Sequence, residues 1–375
     1  MALAVPLAQS RAMSVSIGVC FGKMTSLHEG LGEYGVLFGE HLARRARELR
    51  EEHGIELFYR LPERLHGSFG HDVRYLQQRS LQRHISLHWR RFDLWHTLHQ
   101  HNPYRPPLGT RRYVATVADL NHLYDNDSRF AAKAKGRLDR IAARADSFIT
   151  ISDHVRRDLE TAYGTHKPVA VRYIGVRDFT AQTADAPADA PEPGFFFHLS
   201  RMSALKNVDS LLGLMQHMPQ QRLVLAGARS GDSLRTQERA QAMGLKNVRF
   251  LFDVSTAEKA WLFQHCRAFM FPSLAEGFGL PPVEALQFGK PVFLSTLTSL
   301  PEVGGTVAHY WPNFEPEAMR QVVEGALARW DDVADAERAR RWAQGFGWQA
   351  CIDGHVALYL ELLGLTATVP THGPA

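Results

Sequence analysis

The chain has 375 residues, 45% of them hydrophobic and 22% charged; this is too long for one ordinary core, suits two α/β domains, and excludes a disordered or fibrous chain. Its three cysteines, Cys20, Cys266 and Cys351, lie far apart and form no CxxC pair, which excludes a disulfide scaffold or thiolate zinc cluster and fits a reducing compartment. The net charge of +4 is uneven: residues 1–180 hold 27 lysines and arginines against 19 acidic residues, and the remainder is net −4.

Met1–Val15 carries an apolar patch, but Gln9, Ser10 and Arg11 interrupt it and no basic segment precedes it. No signal peptide is expected there, and no apolar run is long enough to span a bilayer, so a cytoplasmic chain is expected. Val15–Phe21 reads as a buried strand and Glu33–Arg50 as one helix by its apolar spacing. Ile55–Tyr59, Leu94–Leu98, Tyr113–Val117 and Ser147–Ile151 are further short apolar runs separated by helix-like stretches. Such alternation predicts a parallel sheet with crossover helices. The Arg-rich stretch Arg74–Arg112, dotted with Tyr75, Trp89, Phe92, Trp95 and Tyr104, suits nucleic acid, an anionic membrane surface, an anionic substrate or simply solvent.

Thr180–Gly194 (TAQTADAPADAPEPG) lacks aromatic residues and reads as a linker. A second alternating series follows. Strands are expected at Phe195–Leu199, Arg222–Ala226, Val248–Phe252, Ala268–Phe271 and Pro291–Ser295. Helices are expected at Asn207–Met218, Leu234–Met243, Ala257–Cys266 and Pro281–Phe288, with a last apolar helix at Gln349–Leu363 and an unstructured tail from Thr366. The fold class is therefore α/β, with two doubly wound Rossmann-like domains facing a cleft: residues 14–179, a linker at 180–194, residues 195–345, and a terminal crossover helix at 346–365. Ligands of such sheets bind beyond the carboxyl ends of the strands.

Two segments of the second half carry chemistry. In Phe271–Glu302, Glu276 sits in a glycine-rich turn after a strand and Glu284 in the helix that follows. Gly277 and Gly279 permit close backbone approach. The amides of Phe278, Gly279 and Leu280 precede a helix N-terminus, a place that attracts anions and hydroxyl oxygens. In Phe196–Val208, Arg201 and Lys206 follow a strand, where two cations can neutralise a diphosphate. Exposed helix-start glutamates and surface cations are the alternative for each segment alone. His96, His99 and His101 lie close together, but no pair has i, i+4 spacing and Asp93 is the only carboxylate nearby; no metal is expected. Gly30, Gly32 and Gly35 spell GxGxxG but stand eight residues past the first strand, unlike the tight turn of a dinucleotide fingerprint.

Taken in order, HEGLGEYG (His28–Gly35), TVADLNHLY (Thr116–Tyr124), SFITISDHVRRDL (Ser147–Leu159), SRMSALKN (Ser200–Asn207), EGFGLPPVEAL (Glu276–Leu286) and GKPVFLSTLTSLPEVGG (Gly289–Gly305) resemble the retaining, nucleotide-sugar-dependent glycosyltransferases of family four, whose fold is called GT-B. The resemblance implies that Arg201 and Lys206 hold the donor diphosphate, that Glu276 contacts the donor sugar, and that Glu284 binds the nucleotide ribose. It implies that Gly32 approaches the donor phosphate from the opposite wall. It implies a nucleotide sugar as substrate with no further cofactor, no metal, and a glycan or lipid-linked acceptor in surface-polysaccharide assembly, with GDP-mannose ahead of a UDP-sugar. Many members have His where this chain has Ala118. Asp119, Asn121, His122, His99 and His101 are therefore the acceptor-side candidates. An epimerase of the same fold, or a non-catalytic glycan- or membrane-binding relative, would share the cleft. No nucleic-acid partner is expected, an anionic membrane surface is a candidate partner, and the sequence leaves the oligomeric state open.

Overall fold

The computed structural model describes residues 14–24, 27, 30–124 and 128–365, apart from the side chains of 128–130. His28 and Glu29 of the glycine-rich stretch, most of the N-terminal segment read as no leader, and the tail from Thr366 lie outside the described residues.

The first lobe opens with β1 (Val15–Cys20), α1 (Gly30–Arg44), α2 (Ala46–His53), β2 (Ile55–Leu61) and β3 (Arg74–Gln77). It continues through β4 (Leu94–Thr97), β5 (Arg112–Val117), α3 (Ser128–Ala142), β6 (Ser147–Thr150), α4 (Asp153–Tyr163) and β7 (Val169–Val171). Seven strands form one parallel sheet in the order β3-β2-β1-β4-β5-β6-β7. Strands β4 and β6 are buried along their whole length, as expected where helices cover both faces of a parallel sheet.

Residues 180–194 join no helix or strand. The second lobe holds β8 (Phe196–Leu199), α5 (Val208–His217), β9 (Leu223–Gly227), α6 (Gly231–Ala242), β10 (Val248–Phe252), α7 (Thr256–His265), β11 (Ala268–Phe271), α8 (Leu280–Gln287) and β12 (Val292–Ser295). The short α9 (Leu300–Gly304), β13 (His309–Trp311), α10 (Pro316–Leu327) and α11 (Ala334–Gln344) complete it. Its six parallel strands run β10-β9-β8-β11-β12-β13. In both sheets the order reverses beside the first strand, and that reversal opens a crevice at the carboxyl ends.

The last helix, α12 (Trp348–Leu363), crosses back to the first lobe. Trp348 stacks on Tyr34 of α1 at 6.0 Å, His355 meets Phe38 edge-on at 5.0 Å, and the Tyr359 hydroxyl lies 2.6 Å from His96 Nδ1 on β4.

The structure departs from the sequence reading in three places. The helix expected over Glu33–Arg50 breaks at Arg45 into α1 and α2. Gly32 belongs to α1 rather than to a loop; only Gly30, at φ +49°, takes the left-handed conformation at its start. Three short strands, β3, β7 and β13, and the helices α9, α10 and α11 were not anticipated.

Candidate active site

Lys206 and Glu276 stand 70 residues apart in sequence and meet because β8 and β11 are neighbours at the reversal point of the second sheet. After β8 the backbone turns through two left-handed residues, Met202 at φ +54° and Asn207 at φ +50°, around a single turn of 3-10 helix at Ala204–Lys206. That turn docks on the loop after β11 through Leu274 N–H donating to the Leu205 carbonyl at 2.8 Å. The docking brings Lys206 Nζ to within 2.5 Å of Glu276 Oε1, where the Ser273 hydroxyl also donates at 2.7 Å. Both side chains are largely buried, so the pair is shielded from solvent screening. Arg201 is exposed on the same loop and has no acidic partner among the described residues.

The glycine turn is held from several sides. Glu276 N–H donates to Thr298 Oγ1 at 3.0 Å, and Ser299 Oγ donates to the carbonyls of Glu276 and Phe278 at 3.0 and 2.8 Å. Gly279 takes φ +103° at the N-cap of α8, and a methyl group there would meet Leu300. Pro281 and Pro282 supply no N–H, so donors at this helix start come from residues such as Phe278, Gly279 and Leu280. Phe278 itself is buried against Phe346 and Tyr173.

Glu284, one turn into α8, is almost fully buried and pairs with Lys259 of α7, whose ammonium lies 2.9–3.0 Å from the carboxylate oxygens. Burial raises its pKa, Lys259 opposes that, and the charge of Glu33 on α1 adds to it. Its Oε2, although 2.9 Å from the ammonium, has no well-aligned donor. Arg177 in turn holds Glu33 at 3.2 Å, and Lys259 rests on the Phe179 ring at 4.3 Å. Glu33, Arg177 and Lys259 escaped the sequence reading because no local spacing relates them.

The first lobe reaches the glycine turn directly. Ser152, the N-cap of α4, donates to the Gly277 carbonyl at 2.7 Å, and a Cβ on Gly277 would lie 2.2 Å from the Ala118 carbonyl oxygen and 2.9 Å from Asp119 Cβ. Gln100 pins this stretch, accepting from Ala118 N–H at 2.9 Å and donating to the Asp119 carbonyl at 2.8 Å. Asp119 in turn accepts from Asn121 N–H.

Asp119 thus stands at the glycine turn, while His101 lies partly exposed in a basic cleft beside it. His99 is buried beneath Gly22, where burial and then His101 lower its pKa to about 4. His122 is buried with Nε2 2.9 Å from the Tyr163 hydroxyl. His96 is fully buried between Tyr359 and Thr116. No group of three or more His, Cys, Asp or Glu among the described residues could hold a metal ion.

Residues 182–327 match the family described as glycosyl transferases group 1. The chain is 30% identical over 176 residues to O-antigen chain mannosyltransferase B of Escherichia coli, a match spanning 44% of this chain and 45% of that protein. It is 28% identical over 313 residues to D-inositol 3-phosphate glycosyltransferase of Corynebacterium urealyticum, spanning 76% of this chain and 70% of that one. Among solved structures, sucrose-phosphate synthase of Thermosynechococcus elongatus superposes with a TM-score of 0.70 at 17% identity, covering 94% of this chain and all of that one. The matched region of the mannosyltransferase is thus less than half its length. With two parallel Rossmann-like lobes the chain has the GT-B fold, and its residues 182–327 are similar to the glycosyl transferases group 1.

Proposed function

We propose that the protein transfers a mannosyl residue from GDP-mannose to a hydroxyl of a glycan or lipid-linked acceptor in surface-polysaccharide assembly. A UDP-sugar is the second choice of donor, and transfer proceeds with retention of configuration and without a metal. The observation that carries this reading is the shielded Lys206–Glu276 pair at the sheet reversal. Similarity to an O-antigen mannosyltransferase supports the choice of sugar.

In glycosyl transfer the anomeric carbon becomes oxocarbenium-like while the diphosphate gains charge as it departs. Lys206 and Arg201 are the cations placed to meet that charge, and the first-turn amides of α8 are placed to meet sugar hydroxyls. Glu276, beside Lys206, holds the ammonium in position and faces the sugar. Glu284 takes the ribose diol through its under-used Oε2. The acceptor enters from the Asp119 side, and the net positive first lobe turns towards an anionic membrane at the cytoplasmic face. No helix among the described residues is long and apolar enough to cross a membrane; the attachment proposed is peripheral, through the charge of this lobe.

The test is a thermal-shift panel of GDP, UDP and ADP with their sugars, followed by transfer assays with and without EDTA and NMR of the product anomer. GDP-mannose should give the largest shift, and Lys206→Ala should lower turnover by roughly 10²–10³, the usual effect of removing one preorganised donor. A protein that ignores every nucleotide sugar, or turns over unchanged as Lys206→Ala, overturns the reading.

A further inference from the structure

The first lobe contains a cleft of about 450 Å³ lined by Lys23, Arg83, Arg105, Arg137 and Arg140, together with His84 and His101, and no acidic side chain lines it. None of the five cations has an ion-pair partner among the described residues. A surface that gathers this much positive charge without compensation repels itself, and a bound anion relieves the repulsion.

Beside the cleft lies exposed apolar surface. Leu81, Ile85, Leu87 and Trp89 fall in one nine-residue stretch, with Leu87 68% and Trp89 88% exposed, and Leu108 is exposed as well. The backbone sets the two surfaces edge to edge: Arg105 N–H donates to the Gln82 carbonyl at 2.9 Å, and Leu108 N–H to the Ser86 carbonyl at 2.8 Å. Buried Arg60 fixes both segments from below, donating to the Arg105 carbonyl and to Ser86 Oγ. Cations beside exposed hydrocarbon match an amphiphile with an anionic head, whereas a wholly water-soluble anion has no use for the apolar rim.

The cleft is also tied to the donor turn. His101 lies 3.3 Å from Gln100, Gln100 holds the Asp119 carbonyl, and Asp119 abuts Gly277.

We propose that this cleft binds the phosphoryl head of a lipid-borne acceptor, with its hydrocarbon lying along Leu81, Ile85, Leu87, Trp89 and Leu108. Only the word acceptor rests on the glycosyltransferase reading; the site itself does not. Multidentate arginine contacts suit a phosphate or diphosphate, each oxygen taking charge-assisted hydrogen bonds. Holding the head here would present a hydroxyl further along the acceptor to the Asp119–Gly277 contact.

The experiment measures co-sedimentation with phosphatidylglycerol–phosphatidylcholine vesicles and calorimetric titration of inorganic pyrophosphate. The intact chain is compared with Arg137→Glu/Arg140→Glu, Leu87→Ser/Trp89→Ser and Arg201→Ala/Lys206→Ala, with folding verified by thermal melting. Expected is vesicle binding that weakens at least ~30-fold in the charge-reversed variant, on the usual scale for charges near an anionic surface. It should weaken as well in the serine variant and persist in Arg201→Ala/Lys206→Ala. Pyrophosphate should bind the Arg201→Ala/Lys206→Ala protein, and that binding should be lost when Arg137→Glu/Arg140→Glu is added to it. Pyrophosphate binding in that background without vesicle binding overturns the lipid assignment, and binding of either probe that survives charge reversal there overturns the site. Nucleotide-induced thermal shifts retained by the charge-reversed variant keep the two readings separate: their absence from the intact chain sinks the donor reading and leaves the cleft standing.

Discussion

At Gly277 a methyl group would sit 2.2 Å from the Ala118 carbonyl oxygen, and a backbone atom cannot swing aside as a side-chain tip can. The expected outcome for Gly277→Ala is a local shift of the glycine turn away from Ala118. Strain of the order of 1–3 kcal/mol, as for other overpacked sites, should lower transfer activity at least ~10-fold. A melting scan beside a transfer assay checks this, and unchanged activity refutes it. The sequence marked Gly277 as a place of close approach; the first lobe's own backbone at Ala118 is one neighbour that comes close, which no local pattern revealed. The same holds for Lys206 and Glu276. Their residue types were readable in the sequence, but their contact depends on strands far apart in the chain lying side by side. Glu284 was legible as a carboxylate near the helix start; its partner Lys259 was not, since only folding brings α7 alongside α8.

Among the elements, α9 and α4 form a joint between the lobes. The Glu302 carboxylate on α9 accepts from the Asp153 and His154 amides at 2.6 and 3.1 Å, capping the first turn of α4 from the other lobe. An acid at a helix N-terminus satisfies unpaired N–H groups and meets the positive end of the dipole. Burial, and then a hydrogen bond with this carboxylate, raises the Tyr173 hydroxyl pKa, so that side chain also leans on Glu302. Cap removal usually costs about 1 kcal/mol. Glu302→Ala should therefore raise the donor KM severalfold, up to ~10-fold, with kcat changed less. Steady-state kinetics would show it, and an unchanged KM would mean the joint does not favour the closed cleft. Glu302 was inside a quoted motif, yet nothing local revealed this bond. Most strands and helices were legible because buried parallel strands are short, wholly apolar runs. Strand β3 was not, since Arg74 and Gln77 are exposed at a sheet edge, and three-residue strands such as β7 and β13 offer too little pattern. The break between α1 and α2 leaves no proline or glycine as a marker.

On the scale of the whole molecule, buried histidines set the acid limit. Burial lowers the pKa of His99, His198 and His355 to about 4 each, against an ordinary value near 6.5. Below pH 6.5 the unfolded chain takes up protons that the folded chain refuses, so stability falls as pH drops from about 6.5 to 4 and is unaffected by these groups above that window. The slope approaches about 4 kcal/mol per pH unit for the three together. Glu284 works the other way, because burial raises its pKa and protonation relieves the fold, but it is one group against three. Urea midpoints at pH 7.5, 6.0 and 5.0 should decline in that order, and a flat series would contradict the assignment. The path of α12 has a further consequence. Since α12 packs on the lobe that holds β1, two covalent crossings join the halves among the described residues, one at 180–194 and one near Gly345–Gly347. A body tethered at two points swings about the line between them rather than drifting apart. Neither half is a self-sufficient fragment as cut by the linker: a piece ending at residue 179 would lack the helix that roofs Phe38 and His96, leaving that groove bare.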